Sequence, residues 1–419
     1  MDIKERLQLI DKLPRNKNKI VSQQRVDSLP GPANIEQLLG GEMVETPSGR
    51  YFCLEKTHPV DYRHGVVPLL SYLESDASLL HLLVNDPEFG AVELEQTLFI
   101  DTETTGLSGG AGTCAFLVGV GYFQDSEFRV VQYFMNDFDE EHALMETLAK
   151  LVSRFQVIVS YNGKSYDIPL LNSRYIYQGL KSEFQTVRHF DLLHTVRRLW
   201  KHRLPDCSLA TAEQHLIKNT REGDIPGYLI PITYFDYLRT KDAGPLKSVF
   251  YHNQQDILSM VALMAKAMHV LQNPMHHCEN GEELLRVGKL YEACRRYGEA
   301  GRLYQSHLEN GADESNEQEL LMRMAYAYKK LNQWNRAVKA WQACLETKRF
   351  HPLPYIELAK HYEHRVKDVS AAKKFVDKAL KEMMILANLG RRTDWDEYGE
   401  DFKYRLQRLE RKLDAPLAK

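Results

Sequence analysis

Paired cysteines are missing from this sequence. The six cysteines, at 53, 114, 207, 278, 294 and 344, are scattered and form no CxxC pair. That argues against a zinc site or a disulfide framework and suits a reducing compartment. Long apolar runs are missing too: stretches such as AFLVGVGYF (115–123) fall well short of the roughly 20 residues that cross a bilayer. The opening MDIKERLQLIDKLPRNKNK mixes acids with bases and has no apolar core, so it does not read as a signal peptide. A cytoplasmic location is the expectation. There is no excess of positive charge either. The 54 Lys and Arg against 57 Asp and Glu leave −3, and nothing global advertises a nucleic-acid partner. Local basic stretches do occur, in the first 25 residues and in VRRLWKHRL (196–204). Solvated surface faces account for each at least as well.

What is present describes a globular chain of more than one domain. Hydrophobic residues make up 43% and charged residues 26% of 419 positions, a length that calls for two or three cores. Residues 1–90 read as an irregular extension, with a β-hairpin around the Ser-Gly turn of GGEMVETPSGRYFCLEKTHP. From about 91 to 273 the pattern is α/β. TLFID, GTCAFLVGVGYF and FRVVQYFM are three strand-like runs, EEHALMETLAKLVSRF has helical periodicity, and VIVSYN is a compact strand. Helix candidates follow at DIPLLNSRYIYQG, FDLLHTVRRLW and SLATAEQHLI, and a long helix over about 245–271 closes the segment. Three successive strands followed by alternating helices and strands predict a mixed sheet flanked by helices.

Beyond about 280 the texture is purely helical and a repeat emerges. Gly288, Tyr291, Ala300 and Tyr304 are matched by Ala325, Tyr328, Ala337 and Trp341, then by Ala359, Tyr362, Ala371 and Phe375, with internal spacings of three, nine and four. Small residues let two helices approach while aromatics fill the gap. This is the tetratricopeptide pattern, at offsets of 37 and 34 residues. The charged segment DWDEYGEDFKYRLQRLERKL suits a capping helix whose charges face solvent.

Three stretches carry acids that ask for an explanation. In QTLFIDTETTGL (96–107), Asp101 and Glu103 are alternate residues of a strand and project to one side. Carboxylates that close raise each other's pKa unless a cation lies between them. In VIVSYNGKSYDIPLL (157–171), a buried strand enters the Asn162-Gly163 turn and Asp167 opens the next helix. Taken alone, Asp167 is an ordinary helix start. In FYHNQQDILSM (250–260), Asp256 shares a helical stripe with Met260, Leu263 and Ala267, with no Lys or Arg one turn away. A metal would supply the missing charge, with the other acids as co-ligands.

Together these motifs resemble the DEDD, or DnaQ-like, exonuclease superfamily of the ribonuclease H-like fold. The segment DIPGYLIPITYFDYL, the phrase DYRHGVVPL and the helical repeats bring the pattern nearest to the bacterial YprB family. The resemblance places Asp101, Glu103, Asp167 and Asp256 at the superfamily's four acids. It implies hydrolysis of phosphodiester bonds with two Mg²⁺ or Mn²⁺ ions, which hard oxygen ligands favour over zinc. Asp101 would bridge the ions, Glu103 and Asp256 would complete one site, and Asp167 would hold the second.

A general base must then take a proton from the attacking water. The superfamily carries a Tyr four residues before the last Asp or a His five before it. Here His252 is four before and Tyr251 five before, so the chain departs from both patterns. Four residues bring side chains onto one helical face, whereas five carry them roughly 140° apart. That geometry and a near-neutral titration favour His252 as base, with Tyr251 as a core or substrate-packing aromatic.

By resemblance, Thr104 to Leu107 line the pocket of the terminal nucleotide, with Leu107 against its base. Asn162 contacts the substrate backbone or serves only as a turn residue. Polarity, 3′ to 5′, comes from the resemblance alone. DNA and RNA are not distinguished by metal–phosphate chemistry. The resemblance tips the expectation to DNA repair, with a helicase or another protein partner on the repeats and no membrane. The alternatives are an RNA 3′-exonuclease and a repeat-protein adaptor with an inactive nuclease domain.

Overall fold

The computed structural model describes residues 35–106, 112–311, 314–391 and 393–414. The basic N-terminal stretch, Leu107 and the loop residues 109–111 lie outside the described residues. The chain divides into two compact units at Gln272 and Asn273.

The first unit is built on a seven-stranded mixed sheet. Strands β1 (Glu42–Thr46) and β2 (Gly49–Pro59) form a hairpin. A two-residue pair, β3 (Arg63–His64) and β4 (Val67–Pro68), forms a miniature hairpin outside the main sheet. Then come β5 (Thr97–Thr104), β6 (Ala115–Gln124) and β7 (Glu127–Phe134), with β8 (Val157–Ser160) and β9 (Arg188–Asp191) completing the sheet. The order across it is β1-β2-β7-β6-β5-β8-β9, parallel only at β5–β8 and β8–β9. The N-terminal hairpin is therefore no appendage, because β2 pairs along its length with β7 and widens the sheet.

Local chemistry explains the core strands. Nine of the ten residues of β6 are buried, as a strand covered on both faces requires. Asp125 and Ser126, both with positive φ (52° and 62°), make the two-residue turn into β7. That left-handed pair matches the twist of a tight hairpin.

The long helices of this unit are α1 (Glu141–Val152), α2 (Asp167–Tyr177), α3 (Leu192–Trp200), α4 (Ile230–Thr240) and α5 (Leu246–Gln272). From Ile257 to Leu271 nearly every residue of α5 is buried, which marks it as the central helix of the unit rather than a surface one. Two glycines of β6 let it come close. A Cβ at Gly119 would collide with Asn253 and one at Gly121 with Ile257. In register, Gly119 faces Asp101 and Gly121 faces Phe99 across the β5–β6 pair, so the close approach brings α5 directly to the acids.

The second unit is a helical C-terminal region of α6 (Gly281–Ala293), α7 (Tyr297–Glu309), α8 (Glu314–Lys330), α9 (Trp334–Glu346), α10 (Pro352–His361), α11 (Val369–Asn388) and α12 (Thr393–Asp414). Ala300, Ala325, Ala337 and Ala359 are fully buried, and Tyr304 occupies the space a side chain at Gly288 would need. Ala371 and Phe375 are only half-buried, and their neighbours Ala372 and Val376 take the core positions. The charges of α12 do not all face solvent as expected. Arg405, Arg408 and Lys412 converge on Glu363, a buried acid in the wide turn after α10, at 3.1, 2.6 and 2.7 Å. Against the opposing effect of burial, the bonds from Lys412 and Arg408 hold its carboxyl below the usual range. Among the described residues, no helix is long and apolar enough to cross a membrane.

Candidate active site

Asp101 and Glu103 lie near the C-terminal end of β5, just before a register shift at Glu103 and Thr104. Asp101 is held from α5: the side-chain amide of Asn253 donates to its Oδ2 at 2.9 Å. Asn253 is itself fixed, its Oδ1 accepting from Gln132 Nε2 at 2.9 Å. The same Gln132 nitrogen donates to the Phe250 carbonyl at 2.8 Å. Gln132 and Asn253 are both fully buried, so this relay has no water to replace it.

Electrostatics show how the acids crowd. Burial first, then the charges of Asp256, Glu103 and Asp167, push the Asp101 carboxyl well above the usual carboxylate range, against the opposing Asn253 bond. Burial also raises Glu103, followed by Asp256, Asp167 and Asp224, with Arg221 as the opposing cation.

Asp167 arrives from the other side of β5. Strand β8 ends at Ser160, Asn162 takes a left-handed conformation (φ 64°), and α2 starts at Asp167. Asn162 serves this turn through its backbone, its N–H donating to Asp191 Oδ1 at 2.8 Å while the Lys164 N–H reaches Asp191 Oδ2 at 3.1 Å. A side chain at Gly163 would strike Ser160 Oγ and crowd Asp167 Oδ2, so only glycine lets the turn pack here. Thr102 donates its hydroxyl to Asp167 Oδ1 at 2.5 Å. Burial nevertheless dominates and raises the Asp167 carboxyl, with Asp191 adding to it.

The environment of Asp256 departs from the expectation that a metal would supply its missing charge. Its partner is Arg221, thirty-five residues earlier in the chain, whose Nη2 donates to Asp256 Oδ1. The guanidinium is buried, with 9% of its side chain exposed, and also binds Glu213 and Asp224. His252, one turn before Asp256, has Nδ1 at 2.9 Å from Asp224 Oδ1 and Nε2 at 3.6 Å from Asp256 Oδ2. Spacing along α5 could not disclose a cation carried by a loop. Tyr251 and Thr104 are half-buried. Leu107 lies outside the described residues.

The structure thus brings Asp101, Glu103, Asp167 and Asp256 within mutual electrostatic reach and sets His252 beside the last of them. Sequence reasoning missed Asn253, Asp191, Arg221, Asp224 and Glu213. Only Asn253 left a local signal, since NQQ interrupts the apolar face of a long helix.

The donor set suits a hard divalent cation, being all carboxylate oxygen, and the raised carboxyls are those a cation would relieve. The chemistry fits, but the geometry is not pre-assembled. Among the described residues, no three Asp, Glu, His or Cys side chains stand in ready ligand positions, and one oxygen of Asp256 is engaged by Arg221.

Comparison with known proteins agrees with this architecture. Residues 98–268 match the RNase_H_2 family model of the RNase H superfamily. The chain is 28% identical over 374 residues to YprB, an uncharacterized protein of Bacillus subtilis (strain 168), covering 87% of each chain. Among solved structures, the family B DNA polymerase of the hyperthermophilic archaeon Pyrobaculum calidifontis matches 57% of this chain at 14% identity, with a TM-score of 0.34. This chain spans only 29% of that polymerase, and so slight a likeness carries no weight.

Proposed function

We propose that the chain is a divalent-metal-dependent 3′–5′ exonuclease that hydrolyses phosphodiester bonds of DNA in a repair setting. The match to the RNase H superfamily supports nuclease-type phosphodiester hydrolysis. The observation that supports the finer reading is the crowding of Asp101, Glu103, Asp167 and Asp256, where burial first and then the neighbouring charges raise the carboxyls of Asp101 and Glu103. An inactive adaptor gains nothing from acids that repel one another in a partly buried site.

Asp101 and Glu103 on β5, Asp256 on α5 and Asp167 on α2 would hold two Mg²⁺ or Mn²⁺ ions. Ions so held would polarise the scissile phosphate and offset the charge that develops on it. His252 acts as general base. Asp224, bonded at Nδ1, orients the ring and favours the tautomer whose Nε2 lone pair is open to a water proton. That proton moves to Nε2 as water adds to phosphorus; the bond to the 3′ oxygen breaks, and that oxygen leaves with the bonding pair and takes a proton from solvent. Asn253 keeps Asp101 in place through Nδ2, and Tyr251 packs beside the base. By resemblance, Thr104 and Leu107 would line the pocket of the terminal nucleotide, and Asn162 would contact the nearby substrate backbone. The choice of DNA over RNA rests on the resemblance of the motifs. The C-terminal helices act as tetratricopeptide-like repeats that engage a helicase or another protein partner.

The test is incubation of end-labelled DNA and RNA with Mn²⁺, Mg²⁺ or EDTA, alongside Asp101→Ala. Laddered shortening of DNA from the 3′ end, dependent on metal and lost in the variant, is expected. Activity that survives Asp101→Ala overturns the site, and preferential shortening of RNA transfers the substrate to the alternative.

A further inference from the structure

We propose that Arg221 is a built-in cation that competes with the divalent ion for Asp256, so that the Glu213–Arg221 pair sets how tightly the site holds metal. The inference rests on the metal-dependent reading above and adds a residue that none of the motifs contains.

The geometry is that of a fixed charge. Arg221 donates through Nε to Glu213 Oε2 at 2.8 Å and lies with Nη1 3.2 Å from Asp224 Oδ2. Its Nη2 is shared between Glu213 Oε2, at 2.7 Å, and Asp256 Oδ1. Glu213 is almost wholly buried in a wide helical turn, Glu213–Ile217, and also accepts from the Asn219 amide. His64 stands 3.7 Å from Glu213 Oε1, with the same Nε2 at 2.7 Å from Ser259 Oγ on α5. The backbone locks this arrangement. Gly65 is left-handed (φ 60°), a side chain there would strike the Ile217 carbonyl, and the Val66 N–H donates to that carbonyl at 2.8 Å. The DYRHGVVPL phrase thereby acquires a structural role: it braces the acid that holds Arg221.

A guanidinium keeps its charge at any working pH, and a buried one stays where acids surround it. Three acids share this one, and two of them, Asp224 and Asp256, flank His252. A divalent ion approaching Asp256 meets that positive charge at close range. It must displace the bond to Oδ1 or be held with the repulsion in place. Removing Arg221 leaves the site one negative charge richer. Neutralising Glu213 does the opposite, because Arg221 then leans harder on its remaining acids.

Those opposite signs separate this role from a merely structural one, which would weaken the site in every variant. The experiment is Mn²⁺ titration of the full chain without nucleic acid, with free Mn²⁺ read by its paramagnetic resonance signal. Wild type, Asp101→Asn, Arg221→Gln, Glu213→Gln and the charge-balanced Arg221→Gln/Glu213→Gln are compared, each checked for folding by circular dichroism. Asp101→Asn should lose the binding. Arg221→Gln should bind about ten-fold more tightly than wild type, the double variant more tightly to a smaller degree, and Glu213→Gln more weakly. The double variant carries the test if Arg221→Gln does not fold. Binding that Asp101→Asn abolishes but that Arg221→Gln and the double variant leave unchanged or weaken overturns the role of Arg221 and leaves the metal site standing. Binding that is indifferent to Asp101→Asn, or absent from wild type and double variant alike, overturns the metal reading and this inference with it.

Discussion

Replacing Gly119 by Ala adds one methyl group to β6, at the position facing Asp101 in the sheet register. The space it would enter is filled by the side-chain amide of Asn253, which is fully buried and cannot swing into solvent. The methyl must therefore dislodge the amide, breaking its 2.9 Å bonds to Asp101 and Gln132. Leaving a buried acceptor unpaired costs about 1–3 kcal/mol, and overpacking a close contact costs about 1–3 kcal/mol more. The expected loss for Gly119→Ala is about 2–6 kcal/mol, read as a shift of the urea midpoint at neutral pH in EDTA. Asn253→Ala alone should lose about 2–3 kcal/mol, mostly the bond to Asp101. In the double variant the added methyl finds the room that the amide vacated. Its cost should fall short of the sum by at least about 1 kcal/mol. Additive losses would show that the two positions do not compete for one space, and the relay onto Asp101 would have to be abandoned.

Three further outcomes are expected. Asp101, Glu103 and Asp167 all titrate above the ordinary carboxylate range in the fold, so the unfolded chain loses these protons first as pH rises. Stability in EDTA should then decline as pH rises above about 4, and Asp101→Asn should flatten the decline; a parallel profile in the variant would remove Asp101 from the cluster. His252→Ala should slow hydrolysis by about 10²–10⁴-fold and Tyr251→Phe far less, with Asp224→Asn between them; the reverse order would make Tyr251 the base. Glu363→Gln strips one acid from three cations of α12 and should cost about 1–3 kcal/mol, appearing as faster hydrogen exchange over Thr393–Asp414, whereas unchanged exchange would mean that apolar packing alone holds that helix.

What could be read from the sequence was whatever a short window determines. Asp101 and Glu103 show their common side through strand alternation, and Asp256 shows its stripe through helical spacing. The turn before Asp167 declares itself as Asn162-Gly163. The β1–β2 hairpin was visible as a hairpin, but its place beside β7 was not, because strand pairing between distant segments leaves no local trace. The same holds for the surroundings of Asp256. Arg221, Asp224, Glu213 and His64 meet there from three segments between β3 and α4. No periodicity along α5 could signal a cation delivered by a loop. The charges of α12 mislead for a related reason: a run of Lys and Arg looks solvated when the buried acid it serves, Glu363, comes from a distant turn of the chain.

If the four acids serve phosphodiester hydrolysis by water at a 3′ end, the water oxygen must end on the released phosphate. Digestion of single-stranded DNA with Mn²⁺ in ¹⁸O-enriched water, followed by mass analysis of the products, tests it directly. Nucleoside 5′-monophosphates released from the 3′ end, with one water-derived oxygen on each phosphate, are expected, and none from Asp101→Ala. Release of the same products by Asp101→Ala, or no release from wild-type protein with either Mn²⁺ or Mg²⁺, would contradict it.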